Sequence, residues 1–263
     1  MNNSNIKFVF FGNSRVSHYV LEELEKAGFS PIFSVTSAKD PLPELDYLRA
    51  LEADVFVVAA FGKILPQDLL DIPKHGSLNV HPSVLPELRG PAPIQGSILG
   101  LGGQSGRDPI VGVTIIKMDE KMDHGPILAQ EKVPLSPWPD HYAVVEEKLA
   151  RRGGEILAEL LPKWIRGEVA EKIQDHDQAT FIKMIKKEDG QIDFNDPAET
   201  NYRKVLAYST WPQAYFFFTT KNGKELRIVV KDAEIQDGKF VPTRVIPEGK
   251  REMVWQDFLR GNS

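Results

Sequence analysis

Apolar residues along this chain fall into short continuous runs separated by helical stripes. Ile6 to Phe11 is an unbroken run of strand length, and beyond the turn Gly12-Asn13-Ser14-Arg15 the residues Val16, Val20, Leu21 and Leu24 recur on one helix face. Pro31 to Thr36 reads as a second strand, Leu42 to Leu51 as a helix, Ala53 to Ala60 as a buried strand, and Leu69 and Leu70 as part of a short helix. After the segment 78–95, Pro93 to Leu99 is expected to be helical and Val111 to Met118 to be a strand. Val133-Pro134-Leu135 is expected to close the sheet, with His141 to Ile165 as a long amphipathic helix packed across it. Strand-length apolar runs alternating with amphipathic helices predict an α/β fold built on a doubly wound, mostly parallel sheet. The first turn lacks G-x-G-x-x-G, which disfavours a dinucleotide-binding domain.

The pattern then changes. Lys183, Met184, Lys186 and Lys187 lie in a linker, and Ile192-Asp193-Phe194 precedes a helix from Glu199 to Ala207. From Trp211-Pro212-Gln213-Ala214 onward, Phe216-Phe217-Phe218, Leu226 to Val230 and Phe240-Val241 read as short strands divided by Asn222-Gly223 and Asp237-Gly238 turns. The expected organisation is a catalytic domain over 1–178, a linker and helix over 179–210, and a small β-rich domain over 211–263. Only three or four strands fit this last region, too few for a complete five-stranded OB barrel.

The densest run of chemistry-bearing residues is Leu78-Asn79-Val80-His81-Pro82-Ser83, continued by Val84-Leu85-Pro86-Glu87-Leu88-Arg89-Gly90-Pro91-Ala92-Pro93-Ile94-Gln95. In an open α/β sheet, ligands bind where strands surface into loops at their carboxyl ends. Residues i and i+2 of a strand share a face, so Asn79 and His81 look into one cleft. An amide donor beside a titratable imidazole suits chemistry in which a carbonyl oxygen gains charge while a proton leaves a nucleophile. A hydrogen-bonded structural histidine beside a turn-forming asparagine is the alternative. Downstream, the strand Gly112 to Asp119 is followed by a tight polar loop from Glu120 to Leu128, making Asp123 the acid that reaches His81.

Composition narrows the chemistry. With 263 residues and 41% hydrophobic content the chain can bury a full core. It has no cysteine, so disulfides, thiol nucleophiles and thiolate metal sites are excluded. The six histidines (His18, His75, His81, His124, His141 and His176) include no i, i+4 pair, and no metal is expected. Net charge is −5, but Thr180 to the end carries 14 Lys and Arg against 12 Asp and Glu, a balance of +2 that leaves −7 for the rest. No stretch approaches about 20 uninterrupted apolar residues, and Met1-Asn2-Asn3-Ser4-Asn5 lacks a charged and then apolar leader, so the expectation is a cytoplasmic protein without membrane span or signal peptide. No protein partner is evident.

The Asn-x-His pair, the run Ser83-x-Leu85-Pro86-x-x-Arg89-Gly90-x-x-Pro93-Ile94-Gln95, Gly112-Val113-Thr114-Ile115 and Met122-Asp123-His124-Gly125 together resemble the formyltransferase family that uses 10-formyltetrahydrofolate. The resemblance covers nearly the whole chain and is most specific between Phe61 and Leu128. It implies a Rossmann-like formyltransferase sheet without a dinucleotide, followed by a shortened OB-like domain, and transfer of a formyl group to an amine. A free α-amine has a pKa of about 8, so no protein nucleophile is required. Asn79 and His81 would stabilise the oxyanion, and Asp123 would orient His81 and relay the proton through water. Phe61, Gly62 and the backbone near Asp119 and Glu120 would border the pterin, with Ser83, Val84, Leu85 and Pro86 along the tetrahydrofolate. His124 and Asp119 are weaker catalytic candidates, read as shaping the loop, and Arg89 is read as structural.

For the acceptor, Pro247 to Met253 and Gln256-Asp257-Phe258-Leu259 resemble segments of methionyl-tRNA formyltransferases, which implies charged initiator tRNA as partner. Lys221, Lys224, Arg227, Lys231, Arg244, Lys250 and Arg251 would meet its phosphates. Two departures stand out: the basic insertion these enzymes carry after the second strand is missing, and the loop Leu101 to Asp108 is longer, with Arg107 as a substitute cation. A sugar-nucleotide N-formyltransferase, and a catalytically silent tRNA- or folate-binding relative, are the alternatives.

Overall fold

The computed structural model describes residues 6–103 and 110–262. Arg107 and most of the 101–108 loop lie outside the described residues. The chain forms two compact units, one from Met1–Pro93, Leu101–Pro134 and Glu146–Lys183, the other from Ile94–Gly100, Leu135–Val145 and Met184–Ser263.

The first unit is built on a six-stranded sheet in the order β2-β1-β3-β4-β5-β6, where β1 is Phe8–Phe11, β2 Phe33–Val35, β3 Val55–Ala59, β4 Ser77–His81, β5 Gly112–Lys117 and β6 Ile127–Lys132. The first four strands are mutually parallel, and β5 alone runs against the rest. All positions of β1 and β3 are buried, as expected of strands covered on both faces. Between them run α1 (Arg15–Lys26), α2 (Leu45–Ala50) and α3 (Gln67–Leu70). Ser14 caps α1 reciprocally with Ser17: the Ser17 amide donates to Ser14 Oγ at 3.3 Å and the Ser14 amide to Ser17 Oγ at 2.7 Å. The expected helix from Leu42 begins only at Leu45, because Pro41 and Pro43 bias the residues before them away from helix.

The long helix α5 (Tyr142–Ile165) carries adjacent glycines in its interior. A Cβ at Gly153 would lie 2.5 Å from a Val80 methyl carbon on β4, and one at Gly154 would lie 2.9 Å from the Val20 carbonyl oxygen on α1. Helix propensity, worth about 1 kcal/mol per glycine, is given up here for close approach of the helix backbone to β4 at Gly153 and to α1 at Gly154. Among the described residues no helix is long and apolar enough to cross a membrane.

One expectation for this sheet is corrected. The closing strand is not Val133-Pro134-Leu135 but β6, which starts with the buried Ile127 and Leu128 and continues through alternating half-buried and exposed positions. As an edge strand wet on one side, it reads Ala129-Gln130-Glu131-Lys132, and that polarity merged with the preceding loop.

The second unit holds α4 (Pro93–Ile98), α6 (Ala198–Ala207) and a four-stranded antiparallel sheet in the order β10-β9-β8-β7. Its strands are β7 (Tyr215–Thr219), β8 (Glu225–Gln236), β9 (Lys239–Pro247) and β10 (Met253–Val254), the number the sequence allowed. Asp237 and Gly238, at φ +50 and +73, make the two-residue turn between β8 and β9 with Gln236 opposite Lys239. A helix that the apolar pattern did not predict, α7 (Trp255–Asn262), buries Phe258. The Phe258 ring lies 5.3 Å from that of Trp255 and 5.2 Å from that of Phe218, within a core that also contains Phe216, Ile228 and Phe240.

Candidate active site

Alternation along β4 sends Leu78 and Val80 to the α5 side, where Val80 meets Gly153, and Asn79 and His81 to the other face. His81 is the last residue of the strand, at the carboxyl end shared with β3, whose loop continues through Ala60, Phe61 and Gly62. The strand-to-loop placement expected of the Asn-x-His pair is therefore observed.

Asp123 arrives by a less obvious route. Because β5 is antiparallel, its end at Lys117 lies opposite Leu78, near the start of β4, and the following loop must double back to reach His81. Gly125 permits the reversal, since a Cβ there would lie 1.9 Å from the Lys117 carbonyl oxygen. Asp123 sits at φ +52, a left-handed conformation that short polar residues tolerate at a modest energetic penalty. Its Oδ1 lies 3.4 Å from His81 Nδ1 and 3.4 Å from Asn79 Nδ2, while Oδ2 accepts a 2.7 Å bond from the Gly90 amide. The three residues singled out from sequence thus meet around one carboxylate, with the His81 and Asp123 side chains 5% and 10% exposed.

The second nitrogen of His81 fixes the protonation pattern. Nε2 lies 3.0 Å from the Leu88 carbonyl, which can only accept, so Nε2 carries a hydrogen and donates it. The lone-pair position of a neutral ring, Nδ1, then faces a carboxylate oxygen, and that contact becomes attractive when the pair holds one further proton. His81 and Asp123 thus form a side-chain dyad with the Asn79 amide at its rim. The second amide hydrogen and the Oδ1 of Asn79 have no partner among the described residues.

Beside the dyad lies a network in which Arg89, His124 and Asp119 are joined by two residues that no sequence motif marked, Gln174 and His176. Arg89 is buried, and its Nε and Nη2 donate to Gln174 Oε1 at 3.2 and 2.7 Å. Nη2 also reaches His176 Nδ1 at 2.8 Å, and the His176 ring stacks on that of His124 at 4.1 Å. His124 Nδ1 lies 2.6 Å from Asp119 Oδ2, so these two shape the loop around Asp123. The His176 imidazole is held below the ordinary histidine value, first by desolvation and then by the charges of His124 and Arg89. Burial likewise lowers the Arg89 guanidinium from its usual value, against the opposing pull of Asp123 and Asp119. Gln174 and His176 lie in the unpatterned stretch Glu168 to Ala179, where neither periodicity nor spacing marks them.

Of the expected folate contacts, Phe61 is buried edge-on to Phe11 at 5.6 Å, and Gly62 turns at φ +76 into open space. The Ser83 hydroxyl donates to the Glu87 carbonyl at 2.7 Å and the Leu85 side chain is in the core, which leaves Val84 and Pro86 half-exposed on that run. Thr114 and Gln130 pin the same segment: the Leu85 amide donates to Thr114 Oγ1 at 3.1 Å, and Gln130 Nε2 to the Leu85 carbonyl at 2.8 Å. Asp119 is half-buried and Glu120 is exposed. Among the described residues no three His, Asp or Glu side chains gather as a metal-ligand set.

The chain is similar to known proteins over most of its length. A profile described as formyl transferase matches residues 7–161, and one described as the formyl transferase C-terminal domain matches 184–241. The chain is 44% identical over 216 residues to a methionyl-tRNA formyltransferase of Chloroflexus aggregans, covering 82% of this chain and 66% of that protein, just under two thirds of its length. It is 39% identical over 253 residues to a methionyl-tRNA formyltransferase of Herpetosiphon aurantiacus, covering 88% and 79%. Among solved structures, HypX from Aquifex aeolicus in complex with tetrahydrofolic acid superposes with a TM-score of 0.69 at 19% identity, covering 97% of this chain and 47% of that one.

Proposed function

The chain belongs to the formyl transferase family, and from that premise we propose that it transfers a formyl group from 10-formyltetrahydrofolate to the α-amine of methionyl-tRNA. The observation that carries this reading is the meeting of Asn79, His81 and Asp123 around one carboxylate at the carboxyl end of β4. The folate supplies an activated formyl group. The chain's contribution is to accept the developing charge and to move a proton.

The Asn79 amide, half-exposed and with a hydrogen to spare, donates to the formyl oxygen as negative charge builds there. His81 keeps its Nε2 hydrogen on Leu88, so its role is at Nδ1, where a proton held with Asp123 places positive charge beside that oxygen. Asp123 fixes the imidazole and, through water, passes the proton lost by the amine to the leaving nitrogen of the folate as the bond between that nitrogen and the formyl carbon breaks, which releases tetrahydrofolate. Phe61, Gly62, Ser83, Val84, Leu85, Pro86 and the backbone of Asp119 and Glu120 would border the folate. The fit rests on the open space at Gly62, the half-exposed surfaces of Val84 and Pro86, and the second amide hydrogen of Asn79, which the contact to Asp123 leaves free. The similarity to the methionyl-tRNA formyltransferases of Chloroflexus and Herpetosiphon, together with exposed lysines at 221, 224 and 250, supports charged initiator tRNA as the acceptor.

The test is a labelling experiment with labelled formyl donor and three acceptors: charged initiator tRNA, charged elongator tRNA and amino-sugar nucleotides. Label on the initiator species is expected. Label on sugars alone would overturn the acceptor assignment.

A further inference from the structure

Gln174 is 4% exposed and uses its full hydrogen-bonding capacity in one arrangement. Nε2 donates to the carbonyls of Asp123 at 2.9 Å and Gly125 at 2.7 Å, on either side of the reversed turn, while Oε1 accepts the two bonds from Arg89. The guanidinium can only donate and the carbonyls can only accept, so the amide has a single satisfied orientation. Arg89 thereby fixes the flip of Gln174, and Gln174 grips the backbone that presents the carboxylate.

The segment carrying Gln174 is itself tied to both loops of the site. Lys172 exchanges backbone bonds of 2.8 and 2.9 Å with Ile127 at the start of β6. Farther along, the Thr180 carbonyl accepts from the Arg89 amide at 2.9 Å, and the Ile182 amide donates to the Arg89 carbonyl at 2.8 Å. The stretch from Lys172 to Ile182 thus straps the 81–90 loop to the 118–126 loop, and Gln174 is where it touches the Asp123 backbone. A left-handed residue returns to a commoner conformation unless its surroundings hold it there.

We propose that Gln174 is a positioning residue that holds Asp123 in the geometry required to share a proton with His81. The proposal rests on the reading of Asp123 as proton carrier given above, and it assigns a role to a residue outside every motif that marked the site.

The Gly90 amide reports this geometry directly, because its hydrogen is bonded to Asp123 Oδ2. Two variants test the claim. Gln174→Glu retains an acceptor for Arg89 but turns a carboxylate oxygen toward two carbonyls, and Gln174→Met keeps volume and removes all four bonds. In both, kcat is expected to fall about a hundredfold with KM for donor and acceptor nearly unchanged, the scale associated with about 1 Å of misplacement. Hydrogen exchange at Gly90 is expected to accelerate about tenfold or more while the amides of β3 keep their wild-type rates, the pattern of a local opening. Unchanged exchange at Gly90 in a folded variant overturns the proposal. Equal acceleration at Gly90 and in β3 also overturns it, because Gln174 would then serve only global stability. Should the wild-type protein transfer no formyl group, the proposed reaction falls, and the exchange data still decide whether Gln174 positions Asp123.

Discussion

The two units handle buried polarity in opposite ways. In the first, His81, Arg89 and Gln174 are 4%, 3% and 4% exposed, and each is held by directional bonds to a neighbour that is itself held. In the second, the core is built mainly from apolar side chains such as Phe216, Ile228, Phe240 and Phe258, with the buried Asn201 donating to the Asp193 carbonyl at 2.7 Å, and Lys221, Lys224 and Lys250 are exposed. Apolar packing is non-directional, so it tolerates adjustment and degrades by degrees. A buried polar network specifies positions to tenths of an ångström and is costly when half satisfied. The polar unit is built to fix geometry, the aromatic unit to stay folded.

The contrast is broken most sharply at the dyad. Asp123→Asn keeps shape but removes the charge that the proposed mechanism pairs with His81, and kcat is expected to fall about a thousandfold, measured as single-turnover formyl transfer with folding checked by circular dichroism. Asn79→Ala is expected to cost about a hundredfold, the typical loss for one donor to a developing oxyanion. In the other unit, Phe258→Ala removes the ring packed against Trp255 and Phe218, and a loss of about 3 kcal/mol in denaturant-measured stability is expected. Dyad chemistry should persist there under conditions where the variant is folded.

Two smaller effects sharpen the difference. Reversing the charge of exposed Lys221 and Lys224 is expected to leave stability unchanged while making log affinity for tRNA fall less steeply with log salt, by about 0.7 to 0.9 for each phosphate no longer neutralised. A gel-shift titration at several salt concentrations reads it directly. The smallest effect concerns His176, which takes up a proton less readily in the fold than its ordinary value of 6.5 because of desolvation, with His124, Arg89 and Lys121 acting the same way and Asp119 opposing. The folded value lies below the unfolded one, so its contribution is complete above 6.5 and is lost as pH falls through the folded value. His176→Gln is expected to flatten that part of the pH–stability curve obtained by chemical denaturation.

Much of the first unit was legible because its central strands are buried on both faces, and continuous runs such as Val55 to Ala59 carry that signature. The Asn79 and His81 pairing followed from strand periodicity alone. Edge strands and short helices were harder. The polar outer face of β6 hid it within a loop, and the Trp and Phe of α7 lack the run length that separates a helix from other apolar clusters. Gln174 left no trace, because its role depends on the shape of a turn 49 to 51 positions earlier, and a lone polar residue in an irregular stretch carries no period to detect.

The double glycine of α5 has a consequence for engineering. Replacing a mid-helix glycine by alanine is a routine stabilising substitution, worth about 1 kcal/mol when the added methyl has room. At Gly153 that methyl would press on Val80, which sits between Asn79 and His81. The helix acts as a backstop to the strand that carries Asn79 and His81, so a change made behind the sheet would be transmitted to its front. Libraries aimed at a hardier variant should leave Gly153 unchanged.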